Sequence, residues 1–267
     1  MYWTHVARKD FEDAVRSRMF WALSVLMILL AYIAMAAPRA IDSDISVEAG
    51  ISIVSGSMLL FIPVIALVAG YMAIVSERQT GSIRMVLSLP LKRSEVLFGK
   101  FIGRSLVVIV PILLGFGLAI PFVLVLYGSF DAPAYAEFVF RALVTAFVYV
   151  AIAVGVSGSL ATRGQALGAV ITIFIVFDWM WFTVVLGVYY LLHFALPGSG
   201  TEPPWVEAMP GLAPGEAIRR LADGLFSGIS TDAPILVQEW VSLFVVAAWI
   251  AVPLAIGYWR FTQANIS

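Results

Sequence analysis

The stretch ISIVSGSMLLFIPVIALVAGYMAIV (Ile51–Val75) runs directly into SERQTGSIRMVLSLPLKRSEVLFGKFIGR (Ser76–Arg104). The first is apolar and long enough to cross a bilayer. The second is basic and punctuated by Gly81 and Pro90. Its charges keep it out of lipid, so this junction reads as a membrane span entering a surface loop. A hydrocarbon core about 30 Å thick needs roughly 20 apolar residues in helical form. Phe20–Ala37, Ser105–Tyr127, Ala142–Leu160, Ala166–Leu192 and Trp240–Trp259 meet or approach that length as well. Lipid offers no partner to free backbone groups, so the spans are expected to be helices. The alternation of a membrane barrel is absent.

Composition agrees. Hydrophobic residues make up 61% of the 267, and charged residues 12%, against about 25% charged in soluble domains. The first apolar run follows a long leader of mixed charge, Met1–Arg18, and reads as a retained helix rather than a signal peptide. The chain has no cysteine, which excludes disulfides, thiol chemistry and Cys-based metal sites. His5 and His193 are far apart and form no metal motif.

Lys and Arg set the expected orientation. With the amino terminus inside, only Arg39, Arg141, Arg219 and Arg220 of the 16 basic residues fall in outer segments. That asymmetry is a positive-inside signal and places both termini in the cytoplasm.

Residues 1–18 form an amphipathic pattern. Trp3, Val6, Ala7, Phe11, Ala14 and Val15 share one helical face; His5, Arg8, Lys9, Glu12, Asp13 and Arg16 share the other. This predicts an interfacial helix with its Trp near the headgroups, serving as an anchor for the first span or as a partner contact. Residues 195–238 form the longest outer segment. Pro197, Gly198, Gly200, Pro203 and Pro204 mark turns. Pro214 then opens a run with Ala217, Ile218, Leu221, Ala222 and Leu225 at helical spacing, ending near Gly228. Short outer helices fit this pattern; the alternative is a solvated connection. About 40 residues cannot build a substantial separate core.

Ser157, in GVSG, and His193 could pair as in an intramembrane serine protease, but they sit near opposite ends of their spans. At 1.5 Å per residue they are separated by roughly 25 Å or more in depth, beyond the reach a nucleophile and base require. The small residues of GVSG, Gly99-x-x-x-Gly103 and Gly164-x-x-x-Gly168 read as close helix packing. No P-loop is present. GFG at Gly115–Gly117 lacks the third glycine of a dinucleotide site. No enzymatic activity is expected of the chain, and no nucleic-acid partner.

Asp178 is the one charged residue inside the apolar runs. Facing lipid it costs about 2.5–3.5 kcal/mol, so it should face a helix interface or a polar cavity. With Trp179 and Trp181 beside it, it is either part of a solute or proton path or a hydrogen-bonded contact between helices.

Three segments carry a family resemblance. VARKDFEDAVRSRMFWAL opens the chain, AIVSERQTGSIRMVLSLPLKRSEVLFGKFIG forms the first inner loop, and LAPGEAIRRLADG precedes the last span. Together they resemble the permease subunits of ABC transporters of the type-2 exporter class, and among these the NosY-like permeases of nitrous-oxide reductase maturation. The inner loop is the specific part: an acidic residue, Gly-Ser, then Leu-x-x-Pro-[LV]-x-R and a closing Gly-Lys. Gln79 departs from the pattern where an acidic residue is common.

The resemblance implies an all-α integral membrane protein forming one permease domain over residues 1–267. Six transmembrane helices are joined by an elbow helix (1–18), a coupling loop (76–104) and an outer helical segment (195–238). It implies a second permease copy, identical or related, and two cytoplasmic ATPase subunits in the plasma membrane. ATP and Mg would be held by the ATPase, with no cofactor or metal on this chain. Carried onto this sequence, Glu77, Arg78, Gly81, Ser82 and Arg84 fall on or beside a coupling helix. Pro90, Leu91, Lys92 and Arg93 form the turn into the third span. Ile83 and Leu87 supply the apolar docking contacts, and Asp178, Trp179 and Trp181 a possible substrate path. Pro214 and Arg219 mark the outer segment. The implied function is an ATP-driven exporter permease. A narrower reading is export of a sulfur species or help in metalloenzyme maturation; a separate class is an ion-coupled carrier or channel acting alone.

Overall fold

The computed structural model describes residues 3–80, 92–195, 203–228 and 238–263. Among these the protein is all helical, with six helices long and apolar enough to cross a membrane. Helix α1 (Trp3–Val15) leads into α2 (Arg18–Ile41), the first span. The second span is α3 (Val47–Gly70) followed, after a break, by α4 (Val75–Thr80). Helix α5 (Arg93–Tyr127) is the third span and α6 (Ala132–Ser159) the fourth. The fifth is α7 (Arg163–Phe174), a π-helical segment Ile175–Met180, and α8 (Trp181–Ala195). Helix α9 (Pro204–Ala208), a 3-10 turn Met209–Leu212 and α10 (Pro214–Phe226) precede α11 (Glu239–Gln263), the sixth span.

The helix boundaries follow from local chemistry. Ser17, Ser46, Asp131 and Thr162 each accept an N–H of the first turn they cap, from Phe20, Ala49, Ala134 and Gln165. Gly128 closes α5 in the left-handed region, at φ 68°, where glycine carries no Cβ penalty.

Span 4 is the centre of the fold. In its most apolar window 61% of residues are buried, against 11% for span 5. It packs on spans 2 and 6, while span 3 packs on span 1 and α1. Spans 4 and 6 cross with their backbones in contact: a Cβ on Gly155 would lie 2.3 Å from the Pro253 carbonyl oxygen, and one on Gly257 2.6 Å from that of Gly155. The small residues of GVSG therefore serve close packing, as their spacing suggested. Gly99 and Gly103 do the same against α1, where added Cβ atoms would meet Val6 and Asp10. Gly164 and Gly168 differ: nothing lies within 4 Å of where their Cβ atoms would be.

The basic run 76–104 is not a loop throughout. Its first residues form α4, and Arg93–Arg104 belongs to α5, three turns of helix before the apolar part of span 3 begins. The Glu95 carboxylate accepts the Lys92 N–H at 3.1 Å and so starts this helix on a charged segment.

At the opposite end the short helices between spans 5 and 6 are packed. Pro214, Ala217, Ile218 and Ala222 are buried, and α10 lies on spans 4 and 6. Two indole N–H groups pin this layer: Trp181 donates to the Met209 carbonyl and Trp249 to that of Leu212, both at 2.8 Å.

Candidate functional site

Two polar constellations lie at opposite ends of the bundle. At the basic end, Asp10 of α1 turns into the protein. Lys100 Nζ lies 3.4 Å from Asp10 Oδ1 and 2.6 Å from Glu77 Oε1. Arg104 Nε lies 3.0 Å from Asp10 Oδ2. The Lys100 and Asp10 side chains are each only 7% exposed. Two carboxylates and two cations thus form a neutral cluster, buried at Asp10 and Lys100 and partly exposed at Glu77 and Arg104. An isolated buried charge is expensive, whereas a paired and hydrogen-bonded one is tolerated. The cluster joins α1, α4 and span 3.

The break in span 2 is satisfied from two sides. Ser157 Oγ, fully buried in span 4, accepts the N–H groups of Ile74 and Val75, each at 3.0 Å. Arg104 reaches the Ala69 carbonyl, at 3.4 Å. Buried backbone groups freed by a helix break need such partners. This is the role of Ser157. His193 stacks on Tyr189 and Ser157 is committed to span 2, so these two residues do not pair with each other.

The residues that flank the expected docking segment are fastened to helix ends. Arg78 donates to the carbonyls of Gly158 and Leu160 at 3.4 and 3.0 Å, at the C-terminus of span 4. Arg93 donates to the Phe261 and Thr262 carbonyls at the C-terminus of span 6. Both are cations on orphan carbonyls at the negative end of a helix dipole. Lys92 is exposed. Gly81, Ser82, Ile83, Arg84, Leu87, Pro90 and Leu91 lie outside the described residues.

At the other end a cavity of about 370 Å³ opens between spans 2, 4 and 5 and the short helices before span 6. Asp178 lines it from the π-helical segment, where the widened turn interrupts regular α-helix. Its carboxylate accepts the Tyr149 hydroxyl of span 4. Asp178 is therefore both an interhelical contact and a cavity wall. Trp181 also lines the cavity. Trp179 is 62% exposed on the other side of the helix and is not part of the wall. Arg219 reaches the cavity rim, chelated by Glu216 at 2.6 and 2.8 Å and by Asp223 at 2.5 Å. Pro214 is buried at the start of α10.

Sequence reasoning passed over Arg141, Thr145 and Tyr149, which also line the cavity. The signal was present: they recur every fourth residue and so share one face of span 4. Asp10 carried a similar signal, falling in step with Trp3, Ala7 and Ala14. Among the described residues no group of His, Cys, Asp and Glu could hold a metal ion.

The family description "ABC-2 family transporter protein" matches residues 4–266. The chain belongs to this family of ABC transporter permeases. It is 27% identical to "Probable ABC transporter permease protein NosY" of Stutzerimonas stutzeri over 274 residues, 97% of each chain. It is 27% identical to the protein of the same name in Pseudomonas aeruginosa over 281 residues, covering 99% of this chain and 98% of the relative.

Proposed function

We propose that this chain is the transmembrane permease of an ATP-driven exporter, moved by a separate cytoplasmic cassette ATPase that docks on residues 77–93. The observation that carries the proposal is the fastening of both flanks of that segment. Arg78 is tied to the end of span 4, Arg93 to the end of span 6, and Glu77 to Lys100 of span 3. A force on the segment would reach three spans through short polar contacts rather than through a slack loop. Exposed ion pairs to the ATPase would contribute only about 0–1 kcal/mol each, so Ile83 and Leu87 would carry much of the docking.

In this reading two permease copies and two ATPase subunits form the transporter in the plasma membrane, with both permease termini cytoplasmic and ATP and Mg on the ATPase. A second, narrower reading, implied by the resemblance to NosY-like permeases, is export of a sulfur species or assistance in metalloenzyme maturation. Family membership argues against a carrier or channel acting alone. The test is co-purification with a cassette ATPase, sought first among any encoded beside this chain. The intact permease should retain the ATPase. A permease with residues 81–91 scrambled should insert normally and lose it. Full retention by the scrambled chain would refute the docking assignment.

A further inference from the structure

Several buried hydroxyls have a clear partner. Ser24, Ser55 and Ser105 each donate to the carbonyl four residues earlier in their own helix, and Ser157 accepts the Ile74 and Val75 N–H groups. Thr145 has neither kind of bond. It is 1% exposed, lines the outer cavity, and its Oγ1 has no hydrogen-bond partner among the described residues. One turn away Arg141 lines the same cavity with its side chain 14% exposed. Its Nε is also unpartnered, and its nearest acid, Glu137, is 3.8 Å away, too far for a hydrogen bond.

Of the acids facing the cavity, Asp178 takes the Tyr149 hydroxyl, and Glu216 is held by Arg219 and Arg220. Among the described residues, the unpartnered groups on span 4 are the Arg141 Nε–H donor and the Thr145 hydroxyl, on one helix face. Leaving such groups unsatisfied is costly, and residues four apart lie on one face of a helix. The remaining wall is aromatic and apolar, with Leu60, Pro63, Phe174, Phe177, Trp181 and Phe182.

We infer that the cavity binds an amphipathic organic anion, its anionic head on Arg141 and Thr145 and its apolar body against the rings of span 5. The inference rests on the permease reading only in naming this anion as the transported class; the binding itself does not require an ATPase. A soluble carboxylate and the headgroup of an anionic lipid present the same chemistry.

The test uses the full-length permease, without ATPase, in nanodiscs of phosphatidylcholine. Naphthalene-1-carboxylate is titrated against the size-matched cation naphthalen-1-ylmethylammonium, with binding followed by calorimetry. The anion should bind saturably and the cation should not. Arg141→Gln and Thr145→Val should each weaken the anion about tenfold or more, and Arg141→Lys should recover part of the loss. Thr145→Val is nearly isosteric and removes an unsatisfied hydroxyl, so the ligand-free protein should be as thermally stable as the parent or more so. That separates lost binding from lost folding. Adding phosphatidylglycerol distinguishes the sources: competition with the probe identifies a lipid headgroup, and no competition a soluble anion. Preference for the cation, absence of saturable anion binding in phosphatidylcholine, or equal anion affinity in the Arg141→Gln variant would overturn the inference. None of these outcomes would touch ATPase docking.

Discussion

Ser157 accepts the two N–H groups released where span 2 breaks, and it does so from the most buried helix of the protein. Removing the hydroxyl strands both donors in a site closed to water. Ser157→Ala should therefore lower stability by about 1–3 kcal/mol, read as an earlier thermal unfolding of the purified protein; unchanged unfolding would mean that the break has another support. Lys100 is the larger case. It serves Asp10 and Glu77 together at 5% exposure. Lys100→Met keeps the volume but leaves two carboxylates facing each other, and should cost about 3–5 kcal/mol. Asp10→Asn should cost less, because the amide oxygen still accepts from Lys100. A smaller loss for Lys100→Met than for Asp10→Asn would contradict this hierarchy.

At the scale of elements, α1 is held by shape and charge at once: Gly99 and Gly103 make the groove, Asp10 the bond. Gly103→Leu should expel α1 and speed tryptic cleavage after Arg16, whereas Gly168→Leu, with open space around it, should leave cleavage unchanged. Helix α10 is set by Glu216. Burial pushes its carboxyl up, but the hydrogen bonds and charges of Arg219 and Arg220 outweigh burial and hold it below the ordinary value. A depressed carboxyl contributes stability that is present above its unfolded pKa and lost as pH falls through its folded one. The fluorescence of Trp249, bonded to Leu212 in this layer, should thus change only below about pH 4.3, and Glu216→Gln should remove the step. A change centred in the neutral range would rule Glu216 out.

For the whole molecule, the spans were legible because lipid imposes length and apolarity on them, and the amphipathic face of α1 and the turn residues before α10 were legible for similar reasons of periodicity. The helical state of Arg93–Arg104 was not. Its Lys and Arg read as solvated, and only the distant Asp10, Glu77 and chain end at Phe261 and Thr262 explain how those charges are satisfied. The cavity was legible only at Asp178, since an ionisable group in an apolar run stands out, while Arg141 at a span edge counts as an ordinary loop charge. The side on which each end lies follows from charge alone. Single cysteines at the exposed positions Ser94 and Ser227 test it on a chain without native thiols. An impermeant reagent applied to intact cells should label Ser227→Cys and spare Ser94→Cys; the reverse would invert the topology.

The central claim is that movement at residues 77–93 reaches the spans through Arg78, Arg93 and Glu77. The most direct measurement is the ATP hydrolysis rate of the assembled transporter relative to the free ATPase, in Arg78→Ala and Arg93→Ala permeases that still co-purify with it. The account predicts retained binding with most of the permease-dependent change in rate lost in each variant. Retained binding with the full permease-dependent rate in both would contradict it.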